Sequence, residues 1–315
     1  MKKILLIAIV FLFALNANAQ QESIRMVYPF MPLAINPAEA GSKGVASMTG
    51  IYRKKPLFQN AGLVSSSQQY FSFDMPIKNE SMGIGFLAFN TDRSFGTTSG
   101  GISSNLGIVG IVSKVVDLGR GKHLRLGGNL AVNQFPIRAG TGSSIMGTSW
   151  GIGGAFDSEN FSIGVSMPTM NLSDLGWKTS APIYGKIQYL HTLADNNLLK
   201  LGSLVRYTNG IIESEIKTDF YAVFWFQEKI GAGLWYQNTG SEFGGDALLG
   251  SVEVPLGHFR VGYSYDFLGK NVNTTLSGAG TSSTAIGSDL SSGFHQLFLR
   301  YEIDLGNGKI REFRP

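Results

Sequence analysis

From residue 44 onwards, apolar residues alternate with small or polar residues in segments about ten residues long. In one clear example, Phe161, Ile163 and Val165 alternate with Ser162 and Gly164. A period of two places alternate side chains on opposite faces of a β-strand. The pattern recurs about fourteen times, and ten residues is the length of a tilted strand that crosses a bilayer. It predicts an all-β chain.

The predicted strands are 44–54, 65–75, 80–91, 97–115, 122–134, 148–157, 159–167, 182–192, 197–208, 215–226, 228–238, 245–255, 258–268 and 291–303. Their connections alternate between short turns, such as 157–158 and 255–257, and mostly longer loops, such as 269–290. Outer-membrane barrels have short periplasmic turns and longer extracellular loops. The sequence therefore predicts a transmembrane antiparallel β-barrel of about 14 strands, with both termini in the periplasm. A soluble β-sandwich is the alternative, since it also alternates.

The first nineteen residues have the features of a secretory signal peptide. Lys2 and Lys3 precede an apolar stretch, and 17–19 form a small-x-small cleavage site. The mature chain is expected to begin at Gln20. No apolar stretch after this leader is long enough for a membrane helix, so a membrane-spanning chain would have to close into a barrel.

Residues 20–43 are expected to form an irregular N-terminal arm. Pro29, Pro32 and Pro37 fall within ten residues, and proline interrupts both helices and central strands. The arm is too apolar to remain in water, so it should pack inside the barrel or against a partner. The predicted organisation is a signal peptide (1–19), the arm (20–43), the barrel (44–303) and a C-terminal periplasmic tail (304–315).

The composition narrows the possible functions. The chain has no cysteine, which excludes disulfides and thiol chemistry. Glycine accounts for 41 of 315 residues, and charged residues for 15%. The net charge of +4 includes two leader lysines, and no basic stripe of the kind that binds nucleic acid is present.

Polar residues between the outward apolar ones should face the lumen. Charges of both signs allow two interpretations: an ion-selective pore, or a barrel interior filled by salt bridges, which we favour. The predicted lumenal residues are Arg125, Lys186, Arg206, Asp219, Arg260, Asp266, Arg300 and Glu302.

No residues predict catalysis, a metal or a cofactor. The four histidines are scattered without metal-ligand spacing. Residues 83–88 match the glycine fingerprint of dinucleotide folds by letter, but they lie within a predicted strand with no following helix. The chain is expected not to be an enzyme.

The sequence of the arm and several strands resembles that of the PorP/SprF family of type IX secretion outer-membrane proteins. Residues 32–42 contain Asn36, Pro37, Ala38 and Gly41 in an Asn-Pro-Ala-x-Ala-Gly element, and a Tyr-Arg pair follows at 52–53. Further matches occur in order along almost the whole mature chain. Glu39 stands where the family usually has an aromatic residue, and residues 54–58 stand where the family usually has a tryptophan soon after the Tyr-Arg pair.

The resemblance implies an outer-membrane barrel with a non-enzymatic part in protein export and gliding, in bacteria of the Bacteroidota type. The implied partners are periplasmic ring and lipoprotein subunits of the secretion machinery, or secreted adhesins retained at the cell surface. The residues that match the family's arm motif are Asn36, Pro37, Ala38, Gly41, Tyr52 and Arg53. The alternative function is a general or substrate-specific porin.

Overall fold

The computed structural model describes residues 27–54, 66–95, 101–136, 144–171, 181–209, 214–238, 247–266 and 294–303. The predicted signal peptide (1–19), the start of the arm (20–26), the loop at 269–290 and the tail (304–315) lie outside these residues.

The chain folds into a closed antiparallel barrel in which each strand pairs with its neighbours in sequence. The first strand closes the barrel on the last, from Ala46 opposite Ile303 to Lys54 opposite His295. The strands are β1 (Ala46–Lys54), β2 (Ser66–Ile77), β3 (Met82–Phe95), β4 (Gly101–Gly119), β5 (Lys122–Pro136), β6 (Ser144–Asp157), β7 (Phe161–Asn171), β8 (Ile183–Thr192), β9 (Leu198–Asn209), β10 (Ser214–Phe226), β11 (Ile230–Gln237), β12 (Ala247–Leu256), β13 (Phe259–Asp266) and β14 (His295–Ile303).

This ring of strands confirms the predicted barrel and excludes the two-sheet sandwich. Most strand boundaries agree to within a few residues. The fourth strand differs more, because both of its ends are displaced: the sequence predicts 97–115, and the strand runs from Gly101 to Gly119. Its alternation persists through Val116 and Leu118, whose side chains are both exposed on the outer surface.

The outer wall is apolar. Leu130, Val165 and Ile216 are 65%, 59% and 69% exposed, although each belongs to a strand whose alternate residues are buried. A soluble protein would cover such a continuous apolar surface, whereas a membrane barrel presents it to lipid. The alternation seen in the sequence is therefore the division between the lipid face and the lumen.

In the sequence, aromatic residues occur as adjacent pairs near strand ends, which suggests the aromatic girdles that barrels carry at the membrane interfaces. Neighbouring residues of a strand, however, point to opposite faces. In the pair Trp225–Phe226, Phe226 is exposed outside and Trp225 is fully buried inside. Trp235 is likewise buried beside the half-exposed Tyr236. Only one member of each pair can face the membrane interface.

The two ends of the barrel differ. One end, called the short-turn end here, carries the turns around 78–81, 120–121, 158–160, 193–197, 227–229 and 257–258. The opposite end, called the loop end here, is where the strand ends Lys54, Ser66, Phe95 and Gly101 lie. The first strand begins and the last strand ends at the short-turn end. Among the described residues, no helix is long and apolar enough to cross a membrane.

Candidate functional site

The interior of the barrel holds the segment 27–44, called the plug here. The plug contains two single-turn 3-10 helices, Pro32–Ala34 and Pro37–Glu39. Each starts with proline, whose fixed φ suits the first helical position and whose missing N–H needs no partner there. The side chain of Asn36 caps the second turn by accepting a hydrogen bond from the backbone N–H of Ala38 at 3.0 Å.

The plug bonds to strands on widely separated parts of the wall. The Ser113 hydroxyl on β4 donates to the carbonyl of Ala40 at 2.8 Å. The Arg300 guanidinium on β14 donates to the carbonyl of Phe30 at 2.6 Å. An irregular segment leaves backbone groups without secondary-structure partners, and these wall side chains satisfy them. The plug therefore lies across the lumen, inside the barrel.

A row of small inward residues receives one side of the plug. Gly83, Ser113, Gly127, Gly153 and Ser166 are successive register partners across β3 to β7. No residue in this row is larger than serine, so the plug backbone can approach the wall.

The contacts along this row are close. A Cβ atom added at Gly83 would meet the carbonyl of Ala40, and one at Gly127 would meet the backbone of Pro37 and Ala38. The hydroxyl of Ser166 donates to the carbonyl of Ile35 at 2.6 Å. The row is therefore shaped to the plug, and side chains added there would push the plug away.

Glu39 joins the plug to the wall through a buried ion-pair network. Its carboxylate lies 2.5 Å from Lys186 Nζ on β8 and 3.2 Å from Arg125 Nη2 on β5. Arg125 also pairs with Asp157 on β6, at 2.6 Å. All four side chains are at least nine-tenths buried. Two cations are thus shared by two carboxylates, one from the plug and one from the wall.

Two effects oppose each other at Glu39. Burial alone would raise its pKa, but the charges of Lys186 and Arg125 outweigh burial and hold the pKa below its usual range. The carboxylate therefore stays ionised in the lumen, where removal of its charge would leave two cations facing a neutral group.

A second ion pair holds the end of the plug. Lys43 Nζ lies 2.7 Å from the carboxylate of Asp74 on β2. The same carboxylate accepts a hydrogen bond from the backbone N–H of Gly41 at 3.2 Å. Gly41 has a φ of +68° and lies against the backbone of Gly83 and Pro76, so this turn favours glycine for both conformation and space.

Aromatic contacts hold the start of the plug. The ring centroid of Phe30 lies 5.0 Å from that of Phe298 and 5.6 Å from that of Trp235. The ring centroid of Tyr28 lies 6.4 Å from that of Tyr221. These distances are typical of offset or edge-on aromatic packing, which adds to the burial of apolar area. The plug is held by apolar packing at its start and by charges at its end.

The residues of the predicted arm motif separate into two places. Asn36, Pro37, Ala38 and Gly41 lie in the plug, and Asn36 donates to the carbonyl of Gly154 at 3.2 Å. Tyr52 and Arg53 lie on β1 instead. Tyr52 is 44% exposed on the outer wall, whereas Arg53 is buried near the loop end with its guanidinium 4.1 Å from the ring centroid of Phe294.

The predicted lumenal residues also fall into groups. Those that contact the plug are Arg125, Lys186 and Arg300. Glu302 is half-buried, with its carboxylate 3.8 Å from Arg300. The other four are buried: Arg260 lines a cavity between the plug and the wall, and Arg206, Asp219 and Asp266 lie on the loop-end half of their strands.

Sequence reasoning missed Glu39, Asp157 and the row of small residues. A signal for Glu39 was available, because it is the only acid between residues 27 and 43 and stands in an apolar, proline-rich segment. The row had no such signal. Its glycines and serines are recognisable only once the strand registers bring them to one height in the wall.

The described residues contain no cluster of three or more histidine, aspartate or glutamate side chains that could hold a metal ion. The charged groups are instead occupied with one another and with the plug. Their arrangement holds a segment of the chain inside a membrane barrel.

The comparison with known families agrees with this architecture. Residues 17–301 match the family described as type IX secretion system membrane protein PorP/SprF. The chain belongs to the PorP/SprF family. The match covers the plug and nearly all of the barrel, so the protein is an outer-membrane component of type IX secretion. No match is found among curated proteins.

Solved structures similar to this PorP/SprF protein are outer-membrane barrels. A FadL homologue from Pseudomonas aeruginosa has a TM-score of 0.50 at 10% identity, over 85% of this chain and 93% of the other. The toluene transporter TodX from P. putida also has a TM-score of 0.50, at 7% identity over 85% and 92%. CdiB from Acinetobacter baumannii has a TM-score of 0.47 at 7% identity, and the match covers 82% of this chain and 60% of CdiB. At these identities the likeness shows the fold alone.

Proposed function

We propose that this PorP/SprF protein is a plugged, non-enzymatic barrel that docks other components of the type IX machinery or retains secreted adhesin at the cell surface. The observation that carries the proposal is the filled lumen. The plug is bound through Glu39, through Lys43 and by backbone bonds to the wall. A barrel with this interior serves better as a fixed platform in the membrane than as an open conduit.

The short-turn end is the docking surface for periplasmic partners in this proposal. The first and last strands both reach this end, and short turns face the periplasm in outer-membrane barrels. Both termini are then periplasmic, where ring and lipoprotein subunits of the machinery would be met. Adhesin retention would instead use the loop end.

Site-directed photocrosslinking in the native membrane tests which end is used. A crosslinker is placed at Glu159 or Lys229, both exposed in turns of the short-turn end. The matched control is a crosslinker at Val165, on the lipid face. We expect the turn positions to capture proteins of the secretion machinery and Val165 to capture none of them.

The result also separates the two docking roles. Capture of secreted adhesin at loop-end positions, with none at Glu159 or Lys229, would replace machinery docking by cargo retention. Absence of both kinds of adduct, together with recovery of the barrel alone from gently solubilised membranes, would overturn the proposal.

A porin is the second candidate function. A transporter is among the proteins of similar fold, but the likeness carries no function at 7% identity. Against an open pore stands the position of Phe30, which is 3% exposed and packs inside the barrel against Phe298 and Trp235. A porin would require the plug to leave, and the bonds that hold it oppose that movement.

A further inference from the structure

A polar patch lies on the outer wall at the loop end, where the first and last strands close the barrel. Lys54 on β1 is the register partner of His295 on β14, and His295 is the register partner of Tyr265 on β13. All three face outwards, since Arg53 and Gln296, their neighbours along the strands, are buried inside. Directly opposite residues have Cβ atoms about 4.5–5.5 Å apart, so these three side chains, called the seam patch here, can reach one ligand.

The histidine of the seam patch is held between two tyrosines. The Tyr263 hydroxyl lies 2.6 Å from His295 Nδ1, and the ring centroid of Tyr265 lies 4.8 Å from that of His295. When the Tyr263 hydroxyl donates to Nδ1, the other ring nitrogen, Nε2, carries a hydrogen that it can donate to a ligand. Among the described residues, no carboxylate lies within ion-pair distance of Lys54. The patch therefore presents an ammonium group beside an imidazole N–H.

Other polar side chains at the loop end of the outer wall are neutral and bind one another. The amide of Gln134 donates to the Ser144 hydroxyl at 2.7 Å, and the hydroxyl of Tyr207 donates to that of Ser214 at 3.3 Å. Of the side chains that the structure describes on the outer wall at this end, Lys54 is the only lysine or arginine. The positive charge is thus confined to the seam and is not spread around the rim.

The wall below the seam patch, towards the middle of the barrel, is apolar and contains a depression. Tyr52 and Leu297 form the next outward pair and are about half exposed. Gly50 follows on β1, and its register partners Leu299 and Phe71 are both exposed. A Cβ atom added at Gly50 would meet no atom within 4 Å. The missing side chain therefore leaves a slot between larger residues, four residues or about 13 Å from the end of the strand.

We propose that the seam patch and the slot at Gly50 bind one membrane lipid whose head group carries a phosphate. Lys54 and Nε2 of His295 hold the phosphate through charge-assisted hydrogen bonds, and an acyl chain lies along Tyr52 into the slot. The polar end of the site is at the end of the barrel and the apolar end towards its middle, which is how a lipid stands beside a membrane barrel. The bound lipid bridges the two strands that close the barrel. This site does not depend on the docking role.

Native mass spectrometry of the full mature barrel, released from a nonionic sugar detergent, tests the site. The probes are phosphatidic acid and monophosphoryl lipid A, and diacylglycerol with the same acyl chains as the phosphatidic acid is the uncharged counterpart. We expect one phosphate-bearing lipid to bind at least tenfold more tightly than diacylglycerol, because diacylglycerol lacks the charge that Lys54 binds. The tighter of the two phosphate lipids identifies whether the phosphate comes from a glycerophospholipid or from a glucosamine-based lipid.

Charge variants separate the site from a general attraction of anionic lipid. Lys54→Gln is expected to weaken binding of the phosphate lipid about tenfold. The matched control is Lys114→Gln, which removes an exposed lysine from the outer face of β4 near the short-turn end and should leave binding unchanged.

A second pair of variants tests the slot without altering any charge. Gly50→Leu fills the slot and is expected to weaken binding of the phosphate lipid about fivefold, through lost apolar contact with the acyl chain. Gly110→Leu makes the same change at another open glycine of the outer wall and should leave binding unchanged. Because an added Cβ meets no atom within 4 Å at either glycine, neither variant should disturb the fold.

Three results would each overturn the proposal. They are equal binding of diacylglycerol and both phosphate lipids, equal weakening by Lys54→Gln and Lys114→Gln, and binding to Gly50→Leu that is as tight as binding to Gly110→Leu.

Discussion

The contribution of Glu39 to plug binding can be measured by replacing it with glutamine. Glu39→Gln keeps the shape of the side chain but removes the charge that faces Lys186 at 2.5 Å and Arg125 at 3.2 Å. Breaking a buried ion pair by removing one partner costs about 3–5 kcal/mol, because the other charge stays buried. Arg125 retains Asp157 at 2.6 Å, so most of the loss falls on Lys186. We expect the plug to be destabilised by about 3 kcal/mol.

Thiol labelling reports this loss directly, since the chain contains no cysteine. Ala34→Cys places a single thiol on a plug residue that is 4% exposed. A maleimide can reach this thiol only when the plug leaves the wall. A loss of about 3 kcal/mol corresponds to labelling about a hundredfold faster, at 1.4 kcal/mol for each factor of ten.

Two further variants make the test specific. Glu228→Gln in the 227–229 turn removes the same charge outside the network and should leave the labelling rate unchanged. Adding Lys186→Met to Glu39→Gln removes the stranded cation and should restore part of the stability, because an apolar replacement of a buried pair is often tolerated. The reasoning is refuted if Glu39→Gln labels no faster than its parent, or if the double variant labels faster than the single one.

Three other perturbations test separate parts of the structure. Gly127→Val should destabilise the plug by about 1–3 kcal/mol, because the added side chain clashes with Pro37, and it should raise the rate of thiol labelling at residue 34. Gly110→Val has open space around the new side chain and should leave that labelling rate unchanged. Equal labelling rates in the two variants would refute the fit of the plug to the wall. Val165→Arg should cost the barrel about 2–4 kcal/mol in a denaturant titration in lipid vesicles, whereas Ile230→Arg at a strand end should cost about 0–1 kcal/mol; a neutral Val165→Arg would mean that the facing is reversed. Acid should release the plug. The pKa of Glu39 is lower in the bound plug than the ordinary glutamate value of about 4.3, so the ionised carboxylate stabilises the bound plug at any pH above 4.3. This stabilisation is lost progressively as the pH falls below that value. Pepsin should therefore cleave the plug faster at pH 2.5 than at pH 4, relative to a peptide standard, and the difference should shrink in Glu39→Gln.

The barrel could be predicted from the sequence because a single rule fixes it. Contact with lipid requires apolar residues at every second position of each strand, so the sequence alone shows where the strands lie and which side chains face the lipid. Phe161, Ile163 and Val165 are exposed outside while Gly164 and Ser166 are buried, as the alternation indicates. The alternation of short turns with mostly longer loops along the chain independently indicated the same fold.

The plug site could be predicted only in part. Its prolines exclude regular structure and its apolar residues exclude water, which suggests lumenal packing but does not give the position. The place where it packs depends on which strand residues come to the same height. Gly83 and Ser166 are 83 residues apart in sequence, and only the registers of the intervening strands place them in one row. Glu39 reads as a departure from the family pattern until Lys186 and Arg125 are seen beside it.

The most direct test of the filled lumen is single-barrel conductance in planar lipid bilayers. The complete mature chain is compared with a variant that lacks residues 20–42, after both have been shown to form heat-resistant folded barrels. The plug predicts little or no steady conductance from the complete chain and large, stable openings from the shortened one. Large, steady conductance that is the same in both would show that the plug does not close the lumen, and would favour a porin over a docking platform.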